Sequence, residues 1–425
     1  MGLQTDLAQL VTLRRFPLSD VLRDMYEADR IGFHARVDDA GGGRPFARLH
    51  GLGETAVLKY HFASKELAEA ESVVTVGEHS ALRMKVAEQE NKRLRQFYAL
   101  LEDLMKSNCQ PYESVAPKYH NPSSGDEHIP IFLISDSQIG LSVEKIVTGG
   151  LAEYSWDIFC ERVERWKHGC DSFVTGVYRK VFPLHTAFLI FAGDIGEGAG
   201  TIYPKQPFKL CVDSMNQVFK GADKMCGIVR HVAGLFERVI AIMCWGNHGE
   251  VMNTTINLDW MCYRWMQERL RDQKNVFIDI PSSHYRLFYI DESLGLVHHP
   301  RSGWPTWTGA VIHGSNVRGW MQVPAYGFNK ATAQYQEMTG VVIDALFAGH
   351  HHQEAKGGKW HINGSWCGGT DLSVEAFRSA ARPGQSLFMY HPWQGLTAQH
   401  TIHLADPVRL EKDGKGFWGE PSPEV

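Results

Sequence analysis

The chain has 425 residues, 44% hydrophobic and 21% charged, enough apolar material for one large core or two moderate ones and too much for a mainly disordered protein. Its 43 basic and 48 acidic residues leave a net charge of -5, which argues against a generally basic, nucleic-acid-coating surface and leaves room only for a local basic groove. The eight cysteines contain no C-x-x-C pair, which disfavours a zinc ribbon or a disulfide framework and points to reduced thiols.

Met1 to Leu10 lacks a basic segment followed by an apolar one, and no apolar run reaches the roughly 20 residues of a membrane span. A cytoplasmic protein without membrane attachment is expected. The opening Met1-Gly2 is not read as a myristoylation signal, because Asp6 stands where that pattern needs Ser or Thr. After the Gly41-Gly42-Gly43 break comes a charged stretch from about Lys65 to Lys106, within which Leu94, Phe97, Leu101 and Leu104 recur three and four apart. That spacing predicts an amphipathic helix that docks on its own chain or, over about two heptads, on a partner copy as a homo-oligomer seam. Asn121 to Asp126 has linker chemistry. The expected organisation is an N-terminal region 1–126, a larger domain 127–412 and a surface tail 413–425.

Beyond the linker, β-rich runs alternate with long amphipathic stretches: Ile131 to Ile134, a helix near Trp156 to Val181, Phe188 to Ala192, a helix near Val212 to Leu235, then Val239 to Trp245. Further apolar runs at Phe277 to Ile280, Leu287 to Ile290, Gly309 to Ile312 and Ala345 to Ala348 suggest a second group of strands. The predicted class is α/β.

Five of these runs end abruptly in residues able to bind a metal. Ile134 is followed by Ser135-Asp136-Ser137-Gln138, Ala192 by Gly193-Asp194, Trp245 by Gly246-Asn247-His248, Ile312 by His313-Gly314, and Ala348 by Gly349-His350-His351-His352. Each alone has a plain explanation as a cap, turn or satisfied histidine. Together they would converge on one edge of a layered sheet, where sites of open α/β folds form. The glycine beside each donor would leave space for close approach of a substrate.

The ordered series Asp-x-Gln, Gly-Asp, Gly-Asn-His, His-Gly and Gly-His-x-His, from about Ile131 to His352, resembles the signature of the calcineurin-like metallophosphoesterase superfamily. In the wording around Ser135 to Gly140, Gly249 and His313-Gly314 it most resembles phage-encoded members with an extra N-terminal region. The resemblance implies a four-layer metallophosphoesterase-type β-sandwich flanked by helices, with an additional N-terminal helical region. It implies two divalent metal ions, Mn favoured over Fe, Zn or Mg. Asp136, Gln138, Asp194 and His352 would surround one, and Asp194, Asn247, His313 and His350 the other, with Asp194 shared. His248 would be the catalytic residue, near the leaving oxygen rather than on a metal. Oxygen and imidazole donors suit these cations, and a cation pair suits phosphoester hydrolysis.

Gln138 departs from the superfamily pattern, which has histidine there. An amide oxygen is a poorer donor than imidazole for Zn or Fe, so a weakened first site shifted toward Mn or Mg, a single-ion enzyme and an inactive binding relative are the three alternatives. His298 and His299 rival His313 as the fourth block but adjoin Pro300, which reads as a hairpin exit. His351 is expected to point away from the metals if its segment is extended. Glu197 and Glu250 could orient a ligating histidine, although exposed caps are the preferred reading. Gly51-x-Gly53 and Gly196-x-Gly198 lack the context of a dinucleotide fingerprint. Trp304, Trp307 and Trp320, with Arg301 and Arg318, could stack and clamp a single strand, against the plainer reading of a packed loop. The expected function is a phosphodiesterase or nuclease acting on DNA, with a phosphomonoesterase or a non-catalytic scaffold subunit as alternatives.

Overall fold

The computed structural model describes residues 92, 95–122, 125–198, 202–203, 206–251, 256–282, 285–290, 307–313, 324–370, 373 and 381–407. The chain divides into two compact units, Met1–Leu100 and Leu101–Val425. Among the described residues all strands belong to the second. Their order is β1 (Ile129–Ile134), α1 (Trp156–Val174), β2 (Thr186–Ala192), α2 (Ser214–Ala233), β3 (Arg238–Cys244), α3 (Leu258–Arg269), β4 (Val276–Asp279), β5 (Tyr285–Ile290), β6 (Trp307–Ile312), α4 (Pro324–Thr339), β7 (Ala345–Ala348), β8 (Ala355–Gly357), β9 (Trp360–Ile362), β10 (Gly384–His391) and β11 (Gly395–His403).

The strands form two sheets, ordered β11-β10-β1-β2-β3-β4 and β5-β6-β7-β9-β8. In the first, β1 to β4 run parallel, while β10 pairs antiparallel with β1. In the second, β6, β7 and β9 run parallel. The runs read from the sequence as strands are continuous in apolar residues because β1 and β2 are buried on both faces. Phe132, Ile134, Leu189 and Phe191 face α1, α2 and α3, among Trp166, Met225 and Tyr263. The alternate residues Ile131, Leu133, Phe188, Ile190, Ile240 and Ile242 face the second sheet through Phe288, Val311 and Phe347. Ala310, Ile312, Leu346 and Ala348 pack on the far side against Phe328 and Ala331 of α4. The architecture is therefore helices, sheet, sheet, helix, the α/β sandwich expected, and no helix among the described residues is long and apolar enough to cross a membrane.

Several expected boundaries shift for local reasons. α1 stops at Val174 rather than near Val181, because Asp171 O accepts from both Thr175 N and Gly176 N and the chain turns into a short 3-10 segment at Tyr178–Lys180. The hairpin of β10 and β11 was not legible, since Gln385 and Ser386 are buried polar residues and β11 is mostly half-buried. The predicted amphipathic stripe is also rotated. Residues 95–108 are helical, but Phe97 and Leu104 are exposed, while Met105 is buried and Leu101 packs on Val218, Leu258 and Met261. An ion pair between Glu102 and Arg264, at 3.3 Å, and a bond from Arg271 to Lys106 O, at 3.2 Å, dock this turn on α3 and the residues that follow it. The following segment is held at the C-terminal ends of α3 and α2 through Tyr112 N to Arg269 O and Lys118 N to Gly234 O, at 2.8 and 2.9 Å. Leu94, most of region 1–126 and the tail after Lys412 lie outside the described residues. All eight cysteines are free thiols.

The interface between the sheets holds the strand ends at a fixed separation, so it is where the site is most sensitive to packing. Phe188 is fully buried there, its ring centroid 5.5 Å from that of Phe288. Phe188→Ala is expected to cost about 3–5 kcal/mol in urea unfolding, and a loss below about 1 kcal/mol would contradict this packing.

Candidate metal centre

The carboxyl ends of β1, β2, β3, β6 and β7 point the same way, and the loops that leave them form the site. Past the ends of β1 and β2 the backbones remain paired: Asp136 N donates to Gly193 O at 3.0 Å, Gln138 N to Asp194 O at 3.1 Å and Ile139 N to Ile195 O at 2.8 Å. Asp136, Gln138, Asp194, His350 and His352 all have positive φ, from 45° to 84°, and they are the only non-glycine residues among those described that do. Such conformations cost about 1–3 kcal/mol each for ordinary side chains and gather at functional sites. Here they aim successive side chains inward.

Asp194 stands at the middle. Its Oδ2 is 2.9 Å from His313 Nε2 and 3.7 Å from His350 Nδ1, and its Oδ1 accepts from His248 N at 2.9 Å. Asp136 Oδ1 accepts from His350 N at 2.7 Å and lies 3.6 Å from His352 Nε2, while Oδ2 accepts from Ser135 Oγ at 2.5 Å. Gln138 Nε2 is 3.2 Å from His352 Nε2. Asp194, His313 and His350 form a group whose donor atoms lie within 4.8 Å of one another and could hold a metal ion. Asp136, Gln138, Asp194, His313, His350, His352 and the backbone of His248 are thus brought to one set of loops, in which Asn247 directly precedes His248.

The glycines next to the donors are required by the donors themselves. A Cβ at Gly246 would sit 2.1 Å from Asp194 Oδ1, and one at Gly349 would sit 2.8 Å from Asp136 Oδ2. The sequence suggested space for substrate, whereas the structure fills that space with the neighbouring carboxylate. Gly249, which follows His248, has its own reason: a Cβ there would lie 2.5 Å from Asn257 Oδ1 at the start of α3.

The donor set fits a divalent cation by an independent observation. Gln138 Oε1 and Asn247 Oδ1 are buried side-chain oxygens that make no hydrogen bond. An unsatisfied buried acceptor costs about 1–3 kcal/mol, and a hard cation beside each of these oxygens, shared with the imidazoles, would satisfy them. Asp136, Gln138, Asp194 and His352 would hold one ion, and Asp194, Asn247, His313 and His350 the other.

The charges support the same arrangement. Burial raises the Asp136 carboxyl, and the charge of Asp194 raises it further, to about 7. Burial opposes ionisation of Asp194 too, but the His313 and His248 imidazoles outweigh it and hold Asp194 well below the usual carboxylate range. His313 is lowered by burial but raised overall by Asp194. Burial lowers His350, and it lowers His352 to about 3, so both present neutral imidazoles, the form that ligates. His248 is pulled down by burial and pushed up more strongly by Asp194 and Glu197, to about 10.

Sequence reading placed Glu197 as an exposed cap, and the structure corrects this. Glu197 is buried, with Oε2 3.3 Å from His248 Nδ1, its backbone O 3.2 Å from the same atom, and Oε1 accepting from Tyr203 Oη at 2.8 Å and Gln206 Nε2 at 3.1 Å. Glu250 is exposed. His351 does turn away, onto Phe328 at 5.4 Å between ring centroids, but its segment is not extended, because the positive φ of His350 and His352 sets the directions instead. Asp259, Cys367 and the trio Ser135, Asn363 and Gln385 were missed. Asn363 Nδ2 donates to Ser135 Oγ and to Gln385 Oε1, at 3.0 and 2.9 Å, bracing the hydroxyl on Asp136. Cys367 Sγ lies 3.7 Å from His352 Nδ1. His298, His299, Arg301, Trp304, Gly314, Arg318 and Trp320 lie outside the described residues, as does the side chain of Trp307.

No family model matches this sequence, and no curated protein matches it. Among solved structures, the sulfate thiohydrolase SoxB of Thermus thermophilus in complex with glycerol is similar at 10% identity, with a TM-score of 0.28, over 67% of this chain and 58% of that chain. A likeness at that level assigns no function.

Ion uptake must displace the protons that Asp136 and His313 carry when no cation is present. Both groups are raised, so they are protonated at low pH and ligation becomes easier as pH rises through about 7. Calorimetric titration with Mn²⁺ is expected to show affinity increasing from about pH 6 to about pH 8, with proton release that shrinks over the same range. An affinity independent of pH would contradict the assignment.

Proposed function

We propose that this chain is a metal-dependent phosphoesterase of the calcineurin-like metallophosphoesterase superfamily, acting on phosphodiesters and in particular on DNA. The observation that carries the reading is Asp194, whose two carboxylate oxygens meet groups from β3, β6 and β7 beside the two unsatisfied amide oxygens of Gln138 and Asn247. The ordered blocks from Asp136 to His352 support the superfamily. The wording around Gly140, Gly249 and His313-Gly314 supports the narrower likeness to phage-encoded members, which favours DNA as substrate and the cytoplasm as compartment.

When bound, a pair of divalent cations supplies Lewis-acid polarisation of the phosphoryl oxygens and neutralises charge during in-line displacement. The chain supplies the rest. Glu197 accepts from His248 Nδ1 and fixes the ring, which leaves Nε2 to face the leaving group. The bond from His248 N to Asp194 Oδ1, at 2.9 Å, ties that ring to the shared carboxylate. In the metal-free chain Asp194 and Glu197 favour the protonated ring, and held in this way His248 is the group placed to give a proton to the departing oxygen. Asp136 and Asp194, at 0% exposure, are shielded from bulk water by the surrounding chain.

One contact favours a single-ion form. The 3.2 Å approach of Gln138 Nε2 to His352 Nε2 lets two donors of the first ion bind each other instead. Metal analysis after dialysis against Mn²⁺ separates the two forms by giving two ions per chain or one.

Turnover of bis-p-nitrophenyl phosphate and p-nitrophenyl phosphate, with and without Mn²⁺, tests the function, and a gel assay on single- and double-stranded DNA tests the substrate. His248→Ala is expected to keep its metal and lose about 10²–10⁴-fold in turnover, while Asp194→Asn loses both metal and turnover. Absence of metal and turnover in the parent protein would favour a non-catalytic scaffold, and metal loss in His248→Ala with retention in Asp194→Asn would overturn the roles.

A further inference from the structure

Asp259, in the first turn of α3, is fully buried, yet its carboxylate is directed at the backbone of two site loops rather than at a side chain. Oδ1 accepts from Ile195 N and Gly196 N, both at 3.1 Å, and Oδ2 accepts from Gly246 N at 2.9 Å. Ile195 and Gly196 directly follow Asp194, and Gly246 directly precedes Asn247. A single side chain therefore joins the β2 loop to the β3 loop at the residues adjoining two donors of the same cation. Asn257, the N-cap of α3, holds the other side of the same peptide region, donating from Nδ2 to Gly246 O at 2.8 Å.

The chemistry explains why a carboxylate stands there at some cost. Three backbone donors converge from two directions, so both side-chain oxygens must be acceptors; an amide of the same shape would turn one NH₂ toward an N–H. The cost is a second buried carboxyl close to Asp194, and burial followed by that neighbouring charge raises Asp259 to about 6. The Gly246 peptide lies close against its neighbour, since a Cβ there would sit 2.1 Å from Asp194 Oδ1 and 2.3 Å from Asp194 N.

We propose that Asp259, assisted by Asn257, is a positioning residue that sets the separation of Asp194 and Asn247, so that cation affinity depends on it more than the fold does. This rests on the reading of the loops as a metal centre. Residues that orient metal ligands without touching the ion typically change affinity by about 10–100-fold when altered.

The test compares Asp259→Asn with Asn275→Ala in the full chain. Asn275 is a backbone brace of similar kind away from the site, donating from Nδ2 to Ala233 O and Phe236 O at 2.9 and 2.8 Å near the start of β3. Mn²⁺ affinity by calorimetry, the electron paramagnetic resonance spectrum of the bound ions and the metal-free thermal midpoint are measured for each. Asp259→Asn is expected to bind Mn²⁺ about 10–100-fold more weakly with an altered spectrum, and Asn275→Ala to bind as the parent does even if its midpoint falls as far. Asn257→Ser, which retains a capping oxygen but loses the bond to Gly246 O, is expected to weaken binding in the same direction and serves if Asp259→Asn does not fold. Parental affinity in either folded clamp variant, or an equal loss in Asn275→Ala, would overturn the proposal. A parent protein that binds no Mn²⁺ would overturn the metal-centre reading along with it.

Discussion

The arrangement depends on one buried carboxylate. Asp194 leaves β2 in a left-handed conformation and meets His313 from β6, His350 from β7 and the backbone of His248 from β3. Without countercharge, a carboxylate in that position would be driven to its neutral form by burial; the surrounding imidazoles and donors keep it ionised. Removing any one strand end from its place would leave this charge undersatisfied, so the two sheets and the site specify each other. The alternation of apolar residues across the strands thus has a consequence at their ends: the register that buries Phe188 and Ile190 between the sheets also fixes where Asp194 emerges.

The loops are costly on purpose. Strain at five inward-facing residues and exclusion of a Cβ at Gly246 and Gly349 are concentrated within a few residues of the strand ends. Braces from elsewhere hold this strained set: Asp259 on the β2 and β3 loops, Asn363 and Ser135 behind Asp136, and Arg162 from α1, which donates to Trp366 O and Cys367 O beside His352. Trp366 N in turn donates to Asp136 O at 3.0 Å. Rigid support of this kind is what keeps donors within the narrow tolerances that cation binding demands.

Legibility in the sequence followed the locality of the cause. The strands through β7 and the donors at their ends could be read because an apolar run followed at once by glycine and a polar donor is a local pattern. Glu197 was misjudged because a glutamate between glycines looks solvated, and only the fold brings His248, Tyr203 and Gln206 around it. Asp259 was invisible for a similar reason: it stands in the first turn of α3, a helix that no apolar run announced, and its backward reach to Gly246 is a tertiary fact. The direction of His351 came out as expected for a different reason, since alternation in a strand was assumed and left-handed turns at its neighbours operate instead. The helical residues from Leu101 on show the same limit, because the periodicity was clear but which side chain meets α2 and α3 was set by the surface that Leu101 packs on.

The most direct test is a crystal structure grown with Mn²⁺ and recorded at a wavelength where manganese scatters anomalously. An anomalous peak is expected within bonding distance of Asp194, Asn247 Oδ1, His313 and His350, and a second near Asp136, Gln138 Oε1 and His352. Density showing Gln138 Oε1 and Asn247 Oδ1 satisfied by protein donors, with no peak beside Asp194, would contradict it.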